Sequence, residues 1–166
     1  MDEKVLCELQ VAKSSWGKII HEKLIVTPNR TFVIRGWEHH MQAGAYAGST
    51  DIVSAIFALA EGAIDAHSTA QSKKNMRERE KHADTPEKLL KTDKNNFALL
   101  NSEIKQIELK KFLRVTRIHI TTQRKKYKWN LHTYTPKGIK TSIAAELNDY
   151  ENMLRPVFRD KLSVKK

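Results

Sequence analysis

Cysteine is nearly absent from this chain: Cys7 is the single one in 166 residues. One thiol cannot close an internal disulfide or build a cysteine-based zinc site. Cys7 falls in a predicted strand, where a buried, inert thiol is the expectation, because a reactive one needs an electropositive, partly open setting. Glycine is scarce as well, at six residues. Gly44 and Gly48 lead into a predicted helix without the further glycine and lysine that a phosphate-cradling loop requires. Acidic residues are outnumbered, 19 against 30 lysines and arginines, which leaves a formal net charge of +11. Such a field attracts polyanions, whether nucleic acid or an anionic membrane surface, and does not choose between them. The opening Met1-Asp2-Glu3-Lys4 has no signal-peptide character. The expected location is therefore cytoplasmic, with peripheral attachment to the inner face of the membrane as its variant.

Catalytic constellations are missing too. His39-His40, beside Trp37-Glu38, would be the first place to look for a metal. Adjacent residues point apart on a strand or a helix, however, and no third ligand stands at a useful spacing. His119 and His132 fall on the two predicted strands of one hairpin, where histidines on a polar face are the common case. No Ser/His/Asp arrangement follows from residue order. The expectation is a protein that is not an enzyme and holds neither a metal nor a cofactor.

What is present reads as one globular domain, 1–166, with 40% hydrophobic and 30% charged residues. Val5 to Val11, Ile19 to Thr27 and Thr31 to Arg35 read as three antiparallel strands, the third ending at Gly36. Lys13 to Lys18 reads as a loop, and Pro28-Asn29 as a tight turn. From Phe97 onward come about four more short strands. Val115 to Thr121 and Tyr127 to His132 alternate apolar and polar residues around the charged turn Gln123-Arg124-Lys125-Lys126. The period then turns helical: Ile143, Leu147, Tyr150, Leu154 and Phe158 share one face of a helix expected over 142–162. Pro156 should mark a bend or boundary in it, because it cannot donate to Asn152.

Residues 37–96 read as a helical insertion. Asp84-Thr85-Pro86-Glu87 is a helix start with proline at the first helical position, after a mixed charge run that reads as a solvated face. Ser49 or Thr50 would cap an earlier helix over about 50–66, apolar over most of its surface through Ile52, Val53, Ile56, Phe57, Leu59, Ala60 and Ile64. Asp51, Glu61 and Asp65 argue against a membrane span, at about 2.5–3.5 kcal/mol each near a bilayer centre. A single sheet covers one apolar face of such a helix but not two. The second face is thus expected to meet another copy, in a homo-oligomer with Phe57 and Ile64 near the contact centre.

The order of elements carries a resemblance. Glu3-Lys4-Val5-Leu6 opens the first strand, and the second ends in the Leu-x-x-Thr-x-x-Arg pattern of Leu24 to Arg30. Ser102-Glu103-Ile104-Lys105-Gln106-Ile107 then precedes a hairpin and closing helix. In these features, over roughly 1–36 and 97–163, the chain resembles a bacterial pleckstrin-homology-like domain of the PH and GRAM superfamily. The long insertion after the third strand departs from that pattern. The resemblance implies an α+β fold: a PH-like, partly open antiparallel β-barrel of about seven strands capped by a C-terminal helix. It implies a noncatalytic binding or scaffolding module, docking to a protein partner or an anionic membrane surface. It also assigns anion contact to Lys13, Lys18, Arg30 and Arg35, around the loop that joins the first two strands in lipid-binding members.

The alternative is a basic nucleic-acid-binding protein. It would use the 110–129 hairpin, with Lys110, Lys111, Arg114, Arg117, Arg124, Lys125, Lys126 and Lys128 on phosphates and Tyr127 and Trp129 as stacking surfaces. Tyr127 and Trp129 share one strand face, which is more often core, with the basic residues facing the other way.

Overall fold

In β1 (Cys7–Ser15) the apolar residues Cys7, Leu9 and Val11 fall at every second position, and all are buried. That spacing turns one face of the strand inward. The computed structural model describes residues 3–15, 18–40, 83, 85–112, 115–131 and 143–165, with 74, 75 and 78. The helix expected over 50–66, with Phe57 and Ile64, lies outside the described residues, as do Arg114 and His132.

β1 pairs antiparallel with β2 (Lys18–Val26), from Cys7 opposite Val26 to Ser15 opposite Lys18. The loop expected over Lys13 to Lys18 is therefore mostly strand. Lys13 is held by an inward partner, Glu22, and its neighbours simply continue the backbone ladder. β3 (Arg30–His40) likewise passes the end expected at Gly36. Ile20 pairs with Glu38 and Glu22 with Arg35, so Gly36 and Trp37 together oppose His21. This is a β-bulge, a common role for glycine inside a strand. The His21 and Trp37 rings stack across it at 3.5 Å.

Pro86–Leu90 forms the short helix α1, with Thr85 at its N-cap and the proline in its first turn, as the sequence predicts. Its Leu89 packs with Ala83 against Ile25, Phe32 and Ile34, the outward side of β2 and β3. This second, smaller core fixes the end of the insertion to the barrel wall. Five strands follow: β4 (Phe97–Leu100), β5 (Ile104–Phe112), β6 (Val115–Thr122), β7 (Lys126–Leu131) and, after the helix, β8 (Leu162–Lys165).

Among the described residues the sheet has eight strands in the order β4-β3-β2-β1-β7-β6-β5-β8. Two meanders, β1–β4 and β5–β7, are joined by Val11 opposite Leu131 and Ala12 opposite Asn130. All pairings are antiparallel except that of β8 with β5. One buried cluster takes Leu9, Leu24, Val33 and Leu99 from the first meander and Ile107, Ile118 and Trp129 from the second. Both halves thus share an interior, and β4 and β8 are left as the edges. The fold is α+β, an open, mostly antiparallel sheet closed by one helix and compatible with a PH-like barrel.

That helix, α2 (Ile143–Phe158), turns Leu147, Leu154 and Phe158 into the shared core, and Tyr150 packs at its edge. Pro156 sits inside α2, not at a boundary. Both Pro156 and Asn152 are exposed, so water can serve the carbonyl that loses its donor, and the helix runs on to Phe158. The expected helix to 162 stops sooner. A 3-10 turn, Arg159–Lys161, follows, with Arg159 at φ 40, and buried Leu162 starts the unforeseen β8.

Candidate anion-docking face

The four cations assigned by resemblance each meet a carboxylate. Lys13 Nζ lies 2.5 Å from Glu22 Oε1, and Glu22 Oε2 accepts a 2.6 Å bond from Trp129 Nε1. Lys18 lies 3.3 Å and Arg35 2.5 Å from the same Glu38 carboxylate, and the Arg35 bond holds Glu38 below the usual carboxylate range. Arg30 reaches Glu3 at 2.7 Å and Glu87 at 2.6 Å, with its guanidinium over the Phe32 ring. Glu3 is held low first by its hydrogen bond from the Thr27 hydroxyl and then by Arg30. These are three separate clusters. Arg30 ties Glu3 and Glu87 to β3, and Lys13 pairs with the buried Glu22.

The second set behaves differently. Thr122 Oγ1 accepts from the backbone N–H groups of Lys125, at 3.0 Å, and Arg124, at 3.3 Å, closing a tight turn between β6 and β7. Gln123, Arg124, Lys125 and Lys126 at this turn are all exposed. Period-2 alternation then sorts the flanking strands. Trp129 and Leu131 point inward and are buried; Lys126, Lys128 and Asn130 point outward.

The same alternation operates across β6, β5 and β8. Lys126 stands opposite Thr121, and Thr121 opposite Gln106. Lys128 stands opposite His119, His119 opposite Glu108, and Glu108 beside Ser163. Asn130 stands opposite Arg117, Arg117 opposite Lys110, and Lys110 beside Lys165. The outward face of β7-β6-β5-β8 thus carries Lys126, Lys128, Arg117, Lys110 and Lys165 on three rows, with Glu108 as the one carboxylate in those rows.

Glu108 is held below the usual carboxylate range, first by its hydrogen bond from Lys165 and then by the charges of Lys165, His119 and Lys110. The Lys165 contact is 2.7 Å, and Lys110 is more distant at 3.9 Å. His119 is buried beneath this charge. Burial, then Lys110 and Lys126, push its pKa below the ordinary 6.5.

Tyr127 and Trp129 lie on the inward side, stacked on each other at 5.6 Å, and Tyr127 stacks on Phe97 at 5.4 Å. They fill the interior and do not offer open stacking surfaces to bases. Lys165 was missed in the sequence because it sits in a strand of four residues, too short for a period to show.

Among the described residues no group of three or more His, Cys, Asp or Glu could hold a metal ion. Nor is any helix among them long and apolar enough to cross a membrane. A shallow cleft beside the β3 bulge, lined by His21, Lys23, Ile34, Arg35 and Trp37, measures about 20 Å³. That is room for about one water.

No family model matches this chain, and no curated protein matches it. Among solved structures, the hSac2 domain from human phosphoinositide phosphatase Sac2 is similar at a TM-score of 0.46 and 9% identity. That likeness covers 99% of this chain and 78% of the other, and at this level bears on neither fold nor function.

Proposed function

We propose that the protein is a noncatalytic, PH-like docking module that attaches to an anionic membrane surface. Its contact is the outward face of β7-β6-β5-β8 together with the turn cations Arg124, Lys125, Lys126 and Lys128. The observation that carries this reading is the unequal sharing of carboxylates. In the first meander Lys13, Lys18, Arg30 and Arg35 are all paired with carboxylates, whereas on the second meander's face Lys110, Lys126, Lys128 and Lys165 stand around Glu108, the one carboxylate in their rows. Anionic headgroups complement such a face, and each lysine or arginine brought near them adds to the attraction. With the aromatics turned inward, the face offers charge without stacking, which favours a lipid surface over single-stranded nucleic acid.

Cosedimentation with phosphatidylglycerol-containing vesicles tests this. Binding should fall steeply with added salt. Replacing Arg124, Lys125, Lys126 and Lys128 together by Gln should weaken it by about two to three orders of magnitude. Replacing Lys18 and Arg35 should have little effect, because Glu38 already neutralises them in part. Unchanged binding in the fourfold variant would overturn the assignment. Tighter binding of duplex DNA than of vesicles at equal salt would replace the lipid by nucleic acid.

A further inference from the structure

We infer that docking through this face is strengthened by acid, with His119 taking up a proton when an anionic surface covers the lysines around it. The inference rests on the docking reading above and adds its regulation. His119 lies at the centre of the face, on the middle one of the three rows, and is 6% exposed. Its Nδ1 is buried, has no hydrogen-bond partner among the described residues, and stands 3.5 Å from Glu108 Oε1. The Nδ1–H tautomer of the neutral ring aims its proton at this carboxylate across a long contact, and a second proton, on Nε2, would turn the contact into an ion pair.

The charged groups around it come from every strand of the half-sheet. β5 contributes Glu108 and Lys110, β6 contributes Arg117, β7 contributes Lys126 and Lys128, and β8 contributes Lys165. α2 packs on the other side of the sheet. Only Glu108 favours the protonated ring. Burial and the charges of Lys110, Lys126 and Lys128 oppose it, so the free protein holds His119 neutral at neutral pH. A layer of negative headgroups screens those lysines and attracts the imidazolium directly. The bound state therefore holds the proton more tightly than the free state.

Linkage makes the effect reciprocal. If docking raises the proton affinity of His119, lowering the pH must raise the affinity for the surface. The gain is up to about tenfold for each unit by which docking raises the His119 pKa. A protonated His119 also takes a share of Glu108. That loosens Lys165, whose side chain is 65% exposed, for contact with headgroups.

The test is partitioning onto phosphatidylglycerol/phosphatidylcholine vesicles at constant ionic strength, from about pH 7.5 down to about pH 5. The wild-type chain is compared with His119→Gln. Phosphatidylglycerol does not titrate in this range, and the other six histidines are common to both proteins. The wild-type partition coefficient should rise more steeply on acidification than that of His119→Gln, with up to one extra proton taken up per bound chain. That proton is read by calorimetry in buffers of different ionisation enthalpy. Parallel curves would overturn the inference.

Glu108→Gln is the second variant, and it carries the test if His119→Gln does not fold. It should bind more tightly than wild type near neutral pH, with its acid response displaced to lower pH. A curve superimposed on wild type would again overturn the inference. Salt-sensitive binding with no His119-dependent slope defeats the acid response alone. Absence of binding at every pH defeats the docking reading together with it.

Discussion

Replacing Lys13 by Met removes the cation that faces Glu22 Oε1 at 2.5 Å. The two partners differ sharply in their access to water: the Lys13 side chain is 37% exposed and that of Glu22 is 3% exposed. Without Lys13, Glu22 is a buried carboxylate whose remaining described bond is the one from Trp129 Nε1. Stripping a buried charge of its partner costs about 3–5 kcal/mol. The reverse substitution, Glu22→Gln, is milder. Lys13 can turn to solvent, and the glutamine carbonyl still accepts from Trp129. That exchange should cost about 1–3 kcal/mol, the range for a lost charge-assisted bond. The expected order is therefore that removing the half-exposed partner is the more damaging change.

Urea unfolding at constant m-value reads both costs as shifts in midpoint. Lys13→Met no more destabilising than Glu22→Gln would refute the reasoning. So would a Lys13→Met variant of full stability that has lost vesicle binding, since Lys13 would then be a docking residue and not a structural one.

Leu154→Ala, at a side chain buried between α2 and the sheet, should destabilise by about 2–5 kcal/mol, and a near-neutral midpoint would mean that the helix does not cap the core. Acid should destabilise in two stages, read as melting temperature against pH. His119 has a depressed folded pKa, so its contribution is full above 6.5 and is lost as pH falls below that value; His119→Gln should flatten this upper stage. Glu3, Glu38 and Glu108 are also depressed, so their stabilisation is full above 4.5 and is lost as pH falls below it, in all variants that keep them. For the insertion, light scattering should report a homo-oligomer that Phe57→Asp converts to monomer or aggregate. A monomeric unmodified chain would remove the basis for that contact.

Much of the frame was legible because it rests on local periodicity. The spacing of Leu147, Leu154 and Phe158 predicted the buried stripe of α2, and the alternation through Ile118, Ile120 and Trp129 predicted the inward faces of β6 and β7. Thr85 and Pro86 marked the start of α1 through cap chemistry confined to a few residues. Errors came where a distant partner overrides a local signal. Gly36 looks like a strand end, yet pairing with β2 carries β3 on through a bulge. Lys13, Ser14 and Ser15 look like a loop, yet β2 continues opposite them. The pairing of Arg30 with Glu87 spans 57 residues of sequence, so no spacing rule could have shown that this cation was already engaged.

The same reasoning separates the two outward sheet faces. Ile25, Phe32 and Ile34 alternate with inward core residues, so the outward side of β2 and β3 is apolar and needs a cover, which α1 provides through Leu89. On β5, β6 and β7 the corresponding outward positions hold Lys110, Arg117, Lys126 and Lys128, which burial under a helix would strip of water at high cost. α2 accordingly packs on the inward side of that half-sheet. Among the described residues, the uncovered outward face is thus the one whose charges favour water or an anion over protein. Lipid headgroups offer both: mobile negative charge, and enough residual water that no lysine on the face must be fully desolvated.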